Sequence, residues 1–585
     1  MTPRPPAPRP RPGRARSAAA AVLALSLALS GCAQVPQSSA VRSGAPLDTG
    51  GGPENVPQFH PPGPAEGATA EQLLRGFVLA GTAPEDGYAI ARQHLAGEAV
   101  DRWDPSRTTV VYTGEPTVVQ GQTEGAWELQ LEVAAEVDEY GLRTDAPPNT
   151  TRAWDVTVEE VGGQLRITSL PDGTLLSTTR FAQLFAPQAL YFHDQTGAYA
   201  VPDIRWFVNR RGTVTSLARA LLRGPAPYLT GAVTTAFPLR TGADLTSPSV
   251  PVSEDGVASV DLTPATVEGT DTEQLFRMQE QMELTLTGIT GVERVAVTVD
   301  GRPLLPAAGD ARPLPAETKA SAGTVQVGVD PETRELVLFQ GLAVSPVGGV
   351  PDVSDLAPVD PAMDRERTRF AFLDPSRTAL RVATADGTRA TVLQGSALTA
   401  PSLDTHGWTW TVDRGAGSIV DAVPADGSGP RRVVTTPWLQ EGESIVDLKV
   451  GFSGTRAALV VDDGRGERSL RVSGIVRGDD AVPTALTEPV RVPTQAPPDQ
   501  VGWVGEDAMV VARVAADAEE RVRPEIVSLD GTSRVLNPLA GLQGISSGDV
   551  GTLYAETEED VFLLVGSSWR AQELETPVRD LSFPG

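Results

Sequence analysis

The chain has 585 residues, with 48 basic against 75 acidic side chains, a formal net charge of −27, and one cysteine. So acidic a surface disfavours nucleic acid and anionic headgroups as partners, and a lone cysteine excludes an internal disulfide framework, so cores must hold the fold. The length suits roughly three or four domains.

The first residues carry Arg4, Arg9, Arg11, Arg14 and Arg16 without an acidic group, and an apolar run follows from Ala18 to Leu29. The run is shorter than the roughly 20 residues of a spanning helix. With its basic start and small residues at the end, 1–31 reads as a secretory signal peptide. Leu29-Ser30-Gly31-Cys32 resembles the lipobox of bacterial lipoproteins. That resemblance implies signal cleavage between Gly31 and Cys32, S-diacylglycerol and an N-acyl chain on Cys32, and a mature protein anchored at the extracytoplasmic face of the cell membrane. Losing five arginines leaves 43 basic against 75 acidic side chains, a net of −32. Lipid, not charge, must then hold the protein down, and two acyl chains anchor stably where one is marginal. Residues 32–67, rich in Pro, Gly and Ser, cannot bury enough apolar surface to offset their ordering entropy. They read as a flexible tether with a reach of about 30 Å.

Residues 68–185 read as an α+β domain. Thr69-x-x-Gln72 has the form of a capping box. Leu73, Leu74, Phe77 and Val78 follow at helical spacing, and Gly81 ends the helix. A second helix is expected from about Tyr88 to Ala96. Beyond Trp103 the period becomes two. Trp127, Leu129, Leu131, Val133, Ala135 and Val137 alternate with mostly polar residues, Trp154-x-Val156-x-Val158 and Leu165-x-Ile167 continue, and Gly162-Gly163 marks a hairpin. Helices followed by long antiparallel strands resemble the cone-shaped NTF2-like fold. Some members of that group are enzymes with a buried Asp, Tyr or His. The corresponding candidates are Asp138 and Tyr140 at a strand end and His94 on the second helix. A solvated strand end and a helix-surface histidine account for them more simply.

Residues 186–305 read as a second α+β unit. Leu190-Tyr191-Phe192 and the stretch from Ala198 to Trp206 are strand candidates. Val214, Leu217, Ala218, Leu221 and Leu222 make an amphipathic helix that Gly224-Pro225 ends. Leu275, Met278, Met282 and Leu286 line another helix, and Val295-x-Val297-x-Val299 alternates into Asp300-Gly301. Two strand–helix passes point to an internal duplication. The methionines could form a soft partner groove, but their spacing on an apolar face fits core better. Leu221-Leu222-Arg223-Gly224-Pro225, Val257 to Leu262, Gln281 to Leu286 and Gly291 to Val295 resemble the phrases of GerMN domains, interaction modules of envelope and sporulation proteins.

Residues 306–323, dominated by Pro and Ala, are expected to be a linker. From 324 to 585 helical periodicity disappears. Short apolar runs recur at 336–339, 370–373, 380–382, 408–412, 445–450, 457–461, 470–472, 509–511, 526–529 and 561–565. Asp386-Gly387, Asp426-Gly427, Asp463-Gly464 and Asp530-Gly531 separate many of them. Strands without helices over this length mean a sandwich, barrel or propeller. Phe452-Ser-Gly-Thr-Arg456 followed by an apolar strand looks like a propeller blade, and the length fits about six blades. Ser402-x-Asp404-x-x-Gly407-x-x-Trp410 resembles the Asp-box hairpin of sialidases with one extra residue, a structural turn in those enzymes.

Catalytic signatures are missing. His60, His94, His193 and His406 are dispersed without ligand spacing, and no Gly-x-Ser-x-Gly, Ser-x-x-Lys or phosphate loop occurs. No catalytic residue, metal or cofactor is predicted, and the one covalent group is the lipid on Cys32.

The order of parts resembles the LpqB family of actinobacterial lipoproteins along nearly the whole chain. The supporting words are Leu29 to Cys32, Ala91-Arg92 and Leu95 with Trp103, the GerMN phrases, and Leu398-Thr-Ala-Pro-Ser402 leading to Trp410-Thr-Val-Asp413. A composition of 46 arginines against only Lys319 and Lys449 fits a GC-rich genome of that kind. The resemblance implies a non-enzymatic accessory protein of the MtrA–MtrB two-component system. It would bind the extracellular domain of the sensor histidine kinase MtrB and affect cell-envelope homeostasis and division. The alternative is a lipoprotein that binds cell-wall glycan or peptide with its propeller face.

Overall fold

The computed structural model describes Met1 and residues 61–585, except 148, 210–211, 306–311 and 549–551. The expected signal peptide beyond Met1, Cys32, His60 and most of the expected tether lie outside the described residues.

Thr69 starts the first helix, α1 (Ala70–Ala80), through both halves of the predicted box. Gln72 Oε1 accepts from the Thr69 amide at 3.0 Å, and the Gln72 amide donates to Thr69 Oγ1 at 3.3 Å. Leu73, Leu74 and Phe77 turn inward. The expected second helix is only α2 (Ala89–Arg92). Residues 94–96 leave the helix because they pair with a sheet edge, the Ala96 amide donating to Ile167 O and the Ile167 amide to His94 O, both at 2.9 Å. His94 is therefore buried, not on a helix surface. Its ring lies against Gly76 of α1, where a Cβ would come within 2.9 Å of Nε2, and burial lowers its pKa. A further short helix, α3 (Ala99–Arg102), precedes the sheet.

That sheet contains β1 (Thr108–Gln120), β2 (Ala126–Asp138), β3 (Arg143–Asp145), β4 (Thr151–Val161), β5 (Gln164–Ser169) and β6 (Thr174–Ser177). The order is β5-β4-β2-β1-β6, with β3 on β2. Alternation works as predicted: Leu129, Leu131, Val133, Trp154, Val156 and Ile167 form one core with α1. Helix α4 (Thr178–Leu184), capped by Ser177, leads out.

The middle domain begins with an antiparallel hairpin, β7 (Phe185–His193) and β8 (Ala200–Val208), followed by α5 (Thr213–Leu222). Then β9 (Val257–Leu262) and β10 (Arg294–Val299) pair in parallel across α6 (Thr272–Leu286), with β11 (Arg302–Pro303) on the edge. The two passes thus differ, a hairpin before a helix and then a strand–helix–strand crossover, so the topology is not that of a simple duplication. Met278 and Met282 are fully buried core residues. Nor are the described residues 312–323 a free linker. Glu317 pairs with Ala198 and Ala200, the Ala316 amide donates to Glu280 at 2.7 Å, and Ala320 and Ala322 enter the main core.

The C-terminal domain is a propeller of six blades. The outer three strands of blade 1 are Gln326–Val329, Leu336–Gln340 and Ala343–Pro346. Each later blade opens with its inner strand: Val359–Met363, Ser402–Leu403, Ser444–Val450, Gln500–Trp503 and Gly544–Ser547. The ring closes when Arg579–Ser582 joins Gln326–Val329 as the inner strand of blade 1. The Asp-box resemblance proves to be a turn. Asp404 Oδ1 accepts from the His406 and Trp408 amides, and Oδ2 from Trp410 Nε1 at 2.8 Å and Arg477 at 2.6 Å.

The middle domain sits on the loops between the first and second strands of the blades. Arg456 Nη1 donates to Pro202 O at 3.1 Å and Nη2 to Glu506 at 2.8 Å. Arg365 donates to the Tyr199 hydroxyl at 2.9 Å and to Phe452 O at 3.2 Å. Next to it, Arg205 holds Asp203 at 2.7 Å, Gly224 O at 2.8 Å and, in the N-terminal domain, Tyr140 O at 3.4 Å. One apolar cluster runs from Phe192, Leu217 and Phe237 into Phe339, Trp503 and Phe583. Truncating one partner of a buried pair costs roughly 3–5 kcal/mol because it strands the other charge. Arg456→Met should therefore lower the calorimetric transition of this unit by that order and separate the middle domain's melting from the propeller's. Adding Glu506→Leu should recover much of the loss.

Candidate functional site

A concavity of about 670 Å³ lies on the propeller axis. Its walls are the starts of the inner strands and the loops between second and third strands, including Arg377, Arg414 and Glu558. Its floor is Phe452, Trp503 and Phe583, all buried. The mouth therefore opens on the face opposite the middle domain.

Charges line it: Asp360, Asp447, Asp499, Glu556, Glu558 and Asp580 against Arg377, Arg414, Lys449 and Arg579. The inner strands supply three of the carboxylates through a recurring irregularity. Val359-Asp360, Val446-Asp447 and Arg579-Asp580 each fall where the strand register slips. Asp360 and Asp580 adopt φ values of 46° and 55°, a region sparsely used by non-glycine residues and frequent at functional sites. The Asp360 amide donates to Asp580 Oδ2 at 3.3 Å, and its carboxylate pairs with Arg377. Asp447 accepts from the Leu448 and Val501 amides.

Burial raises the pKa of Asp360 and Asp447 against the pull of Arg377 and Lys449 respectively. Glu556 is 6% exposed. The Leu581 amide donates to it at 2.6 Å. Burial, helped by the Asp580 and Asp360 charges, pushes it up to about 8. At neutral pH this carboxyl keeps its proton.

A second ionised cluster lies at the edge of the middle domain. Burial would raise Glu280, but His193 at 3.0 Å, the Ala316 amide and Arg277 at 2.9 Å hold it down to about 2. These groups satisfy one another, and among the described residues no cluster of ligating side chains could hold a metal ion.

The residues singled out from sequence fall elsewhere. Asp138 Oδ1 accepts from the Tyr140 and Leu142 amides. It caps the turn that presents Gly141 O to the Trp206 amide at 2.6 Å, where a Cβ on Gly141 would lie 2.8 Å from Trp206 O. Asp138 and Tyr140 thus shape a domain junction. His94, His193 and His406 belong to three different domains, and His406 lies within electrostatic reach of Asp194, the residue after His193. Sequence reasoning missed the axial carboxylates; their signal was an Asp inside short inner strands, second in Val359–Met363 and Arg579–Ser582 and fourth in Ser444–Val450.

Three family models match this chain: the lipoprotein LpqB N-terminal domain over residues 63–182, the sporulation and spore germination (Germane) model over 189–305, and the lipoprotein LpqB beta-propeller domain over 335–580. Lipoprotein LpqB of Thermobifida fusca is 26% identical across 91% of this chain and 93% of that protein. LpqB of Streptomyces coelicolor is 26% identical across 92% of each. Among solved structures, the tandem GerMN domains of GerM from Bacillus subtilis align over 26% of this chain and 59% of that one (TM-score 0.18, 15% identity). TolB from Acinetobacter baumannii aligns over 45% and 66% (TM-score 0.32, 13% identity).

A carboxyl raised in the folded state favours folding fully below its unfolded pKa, and the contribution fades as pH rises to the folded value. Stability measured by urea midpoint should therefore fall from about pH 4.5 to about 8 through Glu556. Glu556→Gln, which needs no proton, should flatten that slope and raise the midpoint above wild type at pH 8.

Proposed function

We propose, from the premise that this chain belongs to the LpqB lipoprotein family, that it is a lipid-anchored, extracytoplasmic accessory protein. It binds the sensor domain of an MtrB-like histidine kinase and is not itself an enzyme. The carrying observation is the lipobox-like Leu29-Ser30-Gly31-Cys32 ahead of a chain that parallels LpqB lipoproteins over more than nine-tenths of both lengths. Among the described residues no helix is long and apolar enough to cross a membrane; attachment is assigned to the two-part lipid that the lipobox-like Leu29–Cys32 implies.

The buried junctions support a regulatory role. A partner shifts a kinase only through different affinities for its two states, and that requires a surface of fixed shape. Arg456, Arg205 and Arg365 fix the middle domain against its neighbours, so the described unit offers one composite surface. Lipid tethering confines both proteins to one membrane, and the raised effective concentration allows a modest intrinsic affinity to suffice.

Cys32→Ala should move the protein from the membrane to the soluble fraction and remove the mass of the lipid from its N-terminal peptide. The full-length lipoprotein in nanodiscs should bind the purified extracellular domain of the kinase. Absence of binding up to tens of micromolar, roughly −6 to −7 kcal/mol, would remove the direct-contact mechanism.

A further inference from the structure

We propose that the axial cavity of the propeller binds a small zwitterionic amine, an amino acid or short peptide. Its ammonium lies among Asp447, Glu556 and Asp580, and its carboxylate points toward Lys449 and Arg377. The assignment starts from Glu556, more than nine-tenths buried against the cavity. Among the described residues no side chain donates to it and no cation pairs with it. Its hydrogen bonds come from backbone amides, Leu581 at 2.6 Å and Asp580. A buried carboxyl without a cation is costly as an anion and retains its proton. An ammonium entering the cavity supplies the missing charge and takes up the lone pairs freed when that proton leaves.

Basic groups stand beside these acids, Lys449 near Asp447 and Arg377 paired with Asp360. Lys449 Nζ donates to Pro401 O at 3.2 Å, one of the three N–H groups it carries. The remaining donors face a cavity that also contains Arg377. Lys449 is one of two lysines in a chain that otherwise uses arginine, and it sits on the axis.

Size and lining exclude other ligand classes. About 670 Å³ lies within the usual range of small-molecule sites. Six acidic against four basic lining groups disfavour an anion. The carboxylates are spread around the ring, with no three close enough to chelate a bare metal ion among the described residues. That spacing suits an organic cation with several N–H donors. A sugar needs an accessible aromatic platform, and the aromatic residues of this cavity are buried in its floor.

The test is calorimetric titration of the full-length protein in nanodiscs with alanine, dialanine and lysyl-alanine, beside N-acetyl-dialanine and dialanine amide. At least one free ligand should bind with Kd below about 1 mM. Each blocked dipeptide should bind at least tenfold more weakly than dialanine. At pH 7 the heat should depend on the ionisation enthalpy of the buffer, reporting release of about one proton from Glu556. Glu556→Gln and, as a second variant, Asp447→Asn should each weaken binding at least tenfold while the protein still melts cooperatively. Lys449→Met should weaken dialanine but not its amide. No saturable heat from any free ligand up to about 10 mM, equal binding of the blocked forms, or unchanged binding by both carboxyl variants overturns the proposal. Kinase binding plays no part in the readout, so the outcome is independent of the accessory role.

Discussion

Arg456 is buried to 1% exposure, its guanidinium divided between the Pro202 carbonyl of the middle domain and the Glu506 carboxylate of the propeller. The guanidinium also lies over the Trp503 ring, 5.6 Å from its centroid. A charge so buried is tolerated only when every surrounding group is in place. That requirement fixes the seat of the middle domain on the propeller far more narrowly than the apolar contacts around it, which are non-directional. Arg205 repeats the device one layer out, joining Asp203, Gly224 and the N-terminal domain's Tyr140. The three domains are therefore joined by directional bonds at positions that hydrophobic burial alone would leave free to slide.

The propeller meets a different constraint. A ring of six sheets leaves an axial space, and the inner strands must place something in it. Here the strand irregularities at Asp360, Asp447 and Asp580 turn carboxylates to the axis. The neighbouring Glu556 then loses its charge, because one more anion among them would be unfavourable without a cation. The chain's large negative charge is thus not confined to its outer surface. Part of it is drawn to the axis, where low dielectric makes each pairing count more.

Much of this fold is legible in the sequence. The capping box at Thr69, the alternation from Trp127 to Val137 and the Met278/Met282 face are local patterns, and burial simply follows their period. What escaped depends on distant partners. The helix expected through Ala96 stops at Arg92 because Ile167, some seventy residues on, pairs with His94 and Ala96. The Pro- and Ala-rich stretch after 311 looks like a spacer, yet Glu317 finds a strand edge at Ala198 and Ala200. The inner propeller strands run from two to seven residues, too short to show a period. Their aspartates resemble ordinary turn residues until the ring brings them to one axis. Asp138 and Tyr140 drew attention as titratable groups, but their work is done by backbone geometry, which composition does not reveal.

The geometry also separates where the protein can be touched from where it can be filled. The mouth of the axial cavity faces away from the middle domain, so a ligand and a protein partner held by the first two domains do not compete for surface. Any influence of one on the other must cross the cavity floor. There, Trp503 donates its indole N–H to Lys449 O at 2.9 Å on the cavity side and lies under Arg456 on the other. Phe452 lines the same floor and accepts from Arg365, which in turn holds Tyr199 of the middle domain. Two short contact chains therefore lead from the cavity to the middle domain, each ending in an arginine. Both chains pass through the cavity floor, not through the blades' outer strands.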